Sequence, residues 1–158
     1  MWTHYPMWQD IHVMMFIGFG FLMVFLKTHC WASVGFNYIC AAWAIQCTMI
    51  FYGFWHKVIK ENVVTKINLD MLLLINGDFG AAAILITMGA VLGKTTFPQL
   101  FLLITLETIF YSLNLTIIID LLKAADLGGS ISIHMFGAYF GLAATYFFKC
   151  PKALEDRF

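Results

Sequence analysis

The stretch Leu69-Asp70-Met71-Leu72-Leu73-Leu74-Ile75-Asn76-Gly77-Asp78-Phe79-Gly80-Ala81-Ala82-Ala83-Ile84-Leu85-Ile86-Thr87-Met88-Gly89-Ala90-Val91-Leu92 holds one ionisable group, Asp78, beyond its first turn. Crossing a bilayer takes roughly 20 mostly apolar residues, so residues 69–92 are long enough to form a transmembrane helix. The neighbouring sequence is polar: residues 57–66 carry Lys57, Lys60 and Lys66, and residues 94–98 run from Lys94 to Pro98. Outward from these breaks the pattern repeats. Apolar stretches at 11–26, 34–54, 99–122 and 130–148 bring the predicted spans to five, separated by short segments that hold most of the charge. Pro98 sits where the fourth helix begins, a first-turn position at which its lack of an N–H costs nothing.

Composition supports this class. Of 158 residues, 61% are apolar and 11% charged, and the mean hydropathy is +0.83. Globular proteins run to about 45–50% apolar and about 25% charged. A water-soluble domain built from this chain lacks the polar residues to cover its surface. The fold expected is all-α, a polytopic membrane helix bundle of five transmembrane helices.

Several function classes fall away. Nine basic and nine acidic residues balance, so no basic face exists to neutralise a phosphate backbone, and nucleic acid is not an expected partner. Cys30, Cys40, Cys47 and Cys150 form no zinc-like or C-x-x-C spacing; Cys40 and Cys47 read as small hydrophobes. Hydrolase, metalloprotease and Walker motifs are absent, no histidine pairs suggest haem, and no lysine sits at mid-span to hold retinal. The pattern favours a conduit over an enzyme, with no cofactor and no metal. Residues 1–10 lack the basic start and apolar core of a signal peptide. Five spans place the termini on opposite sides; a Lys/Arg count of five against four puts the N-terminus outside, with Lys149-Cys150-Pro151-Lys152 as the cytoplasmic exit.

Two spacings of small residues, Gly89/Gly93 and Gly137/Gly141, fit close approach of helices in lipid. Ionisable groups within spans carry more information, because each is costly in hydrocarbon unless it meets a partner or a cavity. Asp78, Glu107, Asp120 and His134 qualify, and Asp126 lies just ahead of the fifth span. His134, one turn after Ser130, is either bonded to a neighbouring helix or a polar residue on a pathway. Asp126, preceding Gly128-Gly129-Ser130, suits the positive end of a helix. Glu107 and Asp120 read as interhelical contacts or a helix end, His12 as interfacial, and Phe79, one of sixteen phenylalanines, as packing.

Several strings together resemble the Rhesus glycoproteins of the ammonium transporter superfamily. They are Tyr5-Pro6-Met7-Trp8-Gln9-Asp10-Ile11-His12-Val13-Met14, Ser33-Val34-Gly35-Phe36-Asn37, Ile75-Asn76-Gly77-Asp78-Phe79, Gly89-Ala90-Val91-Leu92-Gly93-Lys94 and Asp126-Leu127-Gly128-Gly129-Ser130-Ile131-Ser132-Ile133-His134. The resemblance runs through nearly the whole chain. It implies a plasma-membrane channel for ammonia or ammonium, assembled as a homo- or hetero-trimer of full-length subunits with a pore in each. On that resemblance His134 is the first of two pore histidines, Phe79 one of two gating phenylalanines and Asp126 a carboxylate near the outer entrance. Asn114-Leu115 departs from the Asn-Glu of many relatives, which removes an acid from the outer vestibule. The family fold pairs two five-helix halves of inverted topology, and this chain corresponds to the first. The alternative expectation is a non-conducting membrane subunit or truncated product that assembles with full-length relatives.

Overall fold

The computed structural model describes residues 2–27, 30–61 and 66–148, and every regular element among them is helical. Five helical spans are long and apolar enough to cross a membrane: α1 (Tyr5–Phe25), α2 (Cys30–Lys60), α3 (Met71–Val91), α4 (Phe97–Leu121) and α5 (Leu127–Phe147). Cys150 and its neighbouring lysines lie outside the described residues.

Local chemistry starts and stops these helices. The Asp70 carboxylate accepts from the Leu73 amide at 2.8 Å, capping α3. At the start of α4, Gln99 Oε1 accepts from the Thr96 N–H at 2.9 Å and Pro98 occupies the first turn. Helices outrun the apolar stretches: α1 begins at Tyr5 rather than 11, and α2 begins at Cys30 and reaches Lys60 rather than stopping at 54. Apolar sequence marks what sits in hydrocarbon, whereas the helix continues into polar sequence because its backbone bonds remain internal there. Wide π-type turns occupy Met14–Phe19, Lys57–Glu61, Ile117–Leu121 and Ser130–Met135. Each one changes the direction in which the following side chains point.

α3 is the axis of the bundle and the most buried of the five spans, and α1 is the least buried. It packs on α2 and α5, and α2 packs on α4. Small residues set these distances. A Cβ on Gly80 would run into Thr48 of α2, and one on Gly137 would stand 2.6 Å from the Ala83 carbonyl oxygen. Gly141 meets Ala90 in the same way, at 3.0 Å, so the Gly137/Gly141 spacing is the face that α5 turns to α3. Gly89 and Gly93 are placed differently. Gly89 has open space where a Cβ would stand, and Gly93 follows the end of α3 with φ +75°. The Lys94 N–H closes that turn on the Val91 carbonyl at 3.0 Å, so Gly93 ends α3, and among the described residues no second helix approaches Gly89.

Two apolar clusters fill the interior. One joins Cys40, Ala44 and Ile45 of α2 to Ile84, Leu85 and Met88 of α3 and Ile104 of α4. The other gathers Met15, Ala82, Ala83, Tyr111, Leu115 and Ile133 from α1, α3, α4 and α5. Outside, Phe21, Ile50, Leu102, Phe110, Leu142 and Phe147 are exposed, the surface a helix bundle presents to lipid.

Candidate functional site

Alternating helix direction brings the start of α1, the end of α2, the start of α3, the end of α4 and the start of α5 to one end of the bundle. Most ionisable groups of the spans collect in this half. The sequence there is Asp126-Leu127-Gly128-Gly129-Ser130, and two consecutive glycines take positive φ, +71° at Gly128 and +68° at Gly129. A left-handed pair of this kind strains any other residue, and a Cβ on Gly129 would also collide with Ile133. The turn folds the chain back so that Asp126 faces the opening turn of α5.

Asp126 Oδ1 accepts from the Ile131 amide at 2.9 Å and the Ser130 hydroxyl at 3.1 Å. Oδ2 accepts from the Ser132 amide at 2.8 Å and the Ser132 hydroxyl at 2.6 Å. Desolvation pushes this carboxyl upward, but the donors of Ser132, Ile131 and Ser130 outweigh it and hold the pKa down at about 2. Four donors use the lone pairs a carboxylate has to offer. Asp126 is therefore the carboxylate that fixes the start of α5, the helix-terminus role its position in the sequence suggested.

That start sets His134. Ser132 and Ile133 are buried, while the His134 ring is exposed on the surface of the bundle, and none of the described residues holds it by a hydrogen bond. Phe79 is half-buried against the cluster that contains Tyr111 and Ile133, with Phe136 packed on the same cluster. Of the three predicted residues, Phe79 packs on the cluster that holds Ile133 of α5, Asp126 holds the turn that begins α5, and His134 faces outward. Between α4 and α5 runs a groove of about 400 Å³ lined by Asn114, Ile131, Met135, Phe136 and Tyr139. Leu115, the residue after Asn114, is buried in the Tyr111 cluster.

Other ionisable groups of the spans meet partners on neighbouring helices. His12 lies two turns into α1, where its Nδ1 is 3.0 Å from Asp78 Oδ1. The signal for this was the 5, 8, 12, 16 spacing of Tyr5, Trp8, His12 and Phe16, which puts four rings on one helix face. Glu107 is fully buried and accepts from the Thr87 hydroxyl, which also lies 3.0 Å from the Gly137 carbonyl, tying α3, α4 and α5 at one point. Asp120 lies 3.7 Å from His56 Nε2 and 3.8 Å from Lys60 Nζ, joining the ends of α2 and α4. Near it a polar recess of about 340 Å³ is lined by Tyr52, His56, Lys57, Asn68, Asp70 and Asn76. Among the described residues, no cluster of three or more His, Cys, Asp or Glu has the arrangement of a metal site.

Comparison with known proteins matches the architecture. The model of the Ammonium Transporter Family aligns with residues 1–156. Ammonium transporter Rh type B of Bos taurus is 47% identical over 153 residues, which cover 97% of this chain and 33% of that protein. The same-named protein of Danio rerio is 44% identical over 148 residues, covering 94% of this chain and 31% of that protein. In Rattus norvegicus the identity is 48% over 138 residues, 87% of this chain and 30% of that protein. The chain thus spans about a third of the length of the curated relatives it matches. With five membrane-crossing helices and a family match over almost all its residues, this multi-pass membrane protein belongs to the ammonium transporter family.

Proposed function

We propose that the chain forms one of the two inverted repeats of an ammonia- or ammonium-conducting pore in the plasma membrane, within a trimer of full-length subunits. The observation that carries this reading is His134: an ionisable ring left open on the face of a membrane-crossing helix, directly after a start fixed by Asp126. A polar ring turned to lipid is costly, so this face belongs against protein or a polar passage. A second repeat packed there would put His134 on the passage. The relatives' printed name, ammonium transporter, supplies the substrate class.

The chemistry is consistent. An ammonium ion pays heavily to enter a low-dielectric passage and neutral ammonia does not, so proton loss at the mouth lowers the barrier. The π face of Phe79 attracts the cation before that step, and the His134 imidazole then donates to or accepts from the neutral molecule. Asp126 acts through the backbone by aiming α5, since its own oxygens are engaged.

Proteoliposomes holding the native-length protein test this. In an inward ammonia gradient they should alkalinise faster than empty vesicles, and His134→Ala and Phe79→Ala should each change the rate or the preference between ammonium and ammonia. Vesicles that behave identically with and without the protein would exclude conduction and favour a non-conducting subunit that assembles with conducting relatives.

A further inference from the structure

Helix α1 is the least buried of the five spans, yet it carries the partner of one of the most buried charges in the molecule. Asp78 is 0% exposed. Its Oδ1 meets His12 Nδ1 at 3.0 Å, while Oδ2 accepts no hydrogen bond from the described residues. The Trp8 indole N–H is buried close to the same carboxyl without reaching hydrogen-bond geometry. A carboxyl in this position is tolerated only with a partner, so the register of α1 on α3 follows from where His12 stands.

The pair also reaches Phe79. Asp78 precedes Phe79 in α3, so a change at its side chain is felt by the next residue of the same rigid turn. The His12 and Phe16 rings meet at a tilt with centroids 4.6 Å apart, and Phe16 packs against the cluster that Phe79 joins, together with Met15 from α1. Phe16 is held in turn by Tyr38 of α2, at 5.5 Å. One hydrogen bond and one ring contact therefore link α1 to Asp78, the residue before Phe79, and to the cluster on which Phe79 packs.

We propose that His12 and Asp78 form a clamp across α1 and α3 that positions Phe79. His12 is a positioning residue: its imidazole fixes α1 against α3, and the α1 rings close the apolar wall beside the Phe79 ring. This assignment deepens the transport reading and rests on it for the meaning of the Phe79 position.

The clamp is tested by chemical access, independently of flux. In native-length protein in vesicles, with all its native cysteines replaced by alanine, Phe79→Cys supplies a thiol whose labelling by a membrane-impermeant methanethiosulfonate is timed. Adding His12→Leu should speed labelling about tenfold, the size expected when a hydrogen bond to a charged group is lost. His12→Asn, whose amide stands near the Nδ1 position, should restore the slow rate. Asp78→Asn, nearly isosteric, should also speed labelling, and it serves in place of His12→Leu if that variant does not accumulate. Labelling within about twofold of the parent rate in both His12→Leu and Asp78→Asn would overturn the clamp whatever the flux. A labelling change in a protein that conducts nothing would keep the clamp and overturn the pathway reading.

Discussion

The Thr87 hydroxyl has one hydrogen and two acceptors within reach, Glu107 Oε1 and the Gly137 carbonyl, and each belongs to a different helix. Polar bridges of this kind hold membrane helices together where hydrophobic contrast with lipid is small. Thr87→Val, similar in shape, removes the bridge and leaves two buried acceptors without it. We expect a loss of about 1–2 kcal/mol, read as the denaturation midpoint of the detergent-solubilised protein. Val at Leu85, which makes no such bridge, would be the packing control. Asp126 permits a signed prediction. Its pKa is held at about 2 in the folded protein, below the ordinary carboxylate range near 3.8, so its stabilisation is fully present above about pH 4 and is lost as pH falls through about 2. The midpoint gap between parent and Asp126→Ala should be constant from neutral pH down to about pH 5 and close across that acid window. A gap that does not change with pH would mean the carboxylate charge contributes nothing to the α5 start.

At the scale of elements, the two G-x-x-x-G spacings separate by position. A Cβ at Gly137 meets backbone, which cannot rotate away, whereas a Cβ at Gly89 meets nothing. Gly137→Ala should therefore push α5 off α3 and cost about 1–3 kcal/mol. Gly89→Ala should be neutral or stabilise by up to about 1 kcal/mol, through helix propensity alone. Thermal midpoints of the two variants, compared side by side, check both expectations. The five spans were legible because long apolar runs between charged breaks have one physical solution in a bilayer. Their ends were not, since α1 runs through Gln9 and Asp10, polar residues that hydropathy places outside. Within the site, Asp126 was legible from its place before two glycines. The exposed direction of His134 was not, because it follows from the π-type turn at Ser130–Met135, which sequence periodicity does not signal. The His12–Asp78 pair needed the contact between two helices 66 residues apart. The residue spacing on α1 hinted at one face but not at what that face meets.

At the scale of the whole molecule, the distribution of polar groups on α4 and α5 sets the requirement. Asn114 borders an open groove between α4 and α5, and the His134 ring is exposed on α5, on a bundle surface rich in Phe, Leu and Ile. A lipid-facing surface of a stable bundle excludes such groups, whereas the inner face of a two-repeat pore requires them. The family match covers this chain almost completely and its relatives only to about a third. A polypeptide that contains the covering repeat would be correspondingly longer. An antibody raised to residues 57–66, applied to source membranes, should therefore detect a product two to three times the 18.0 kDa of this chain. Such a band, with flux lost in His134→Ala, would place the groove inside a pore. A band at 18.0 kDa alone would require a second chain to cover α5, and cross-linking from the Tyr139 face would then have to capture it before any flux is assigned to this protein.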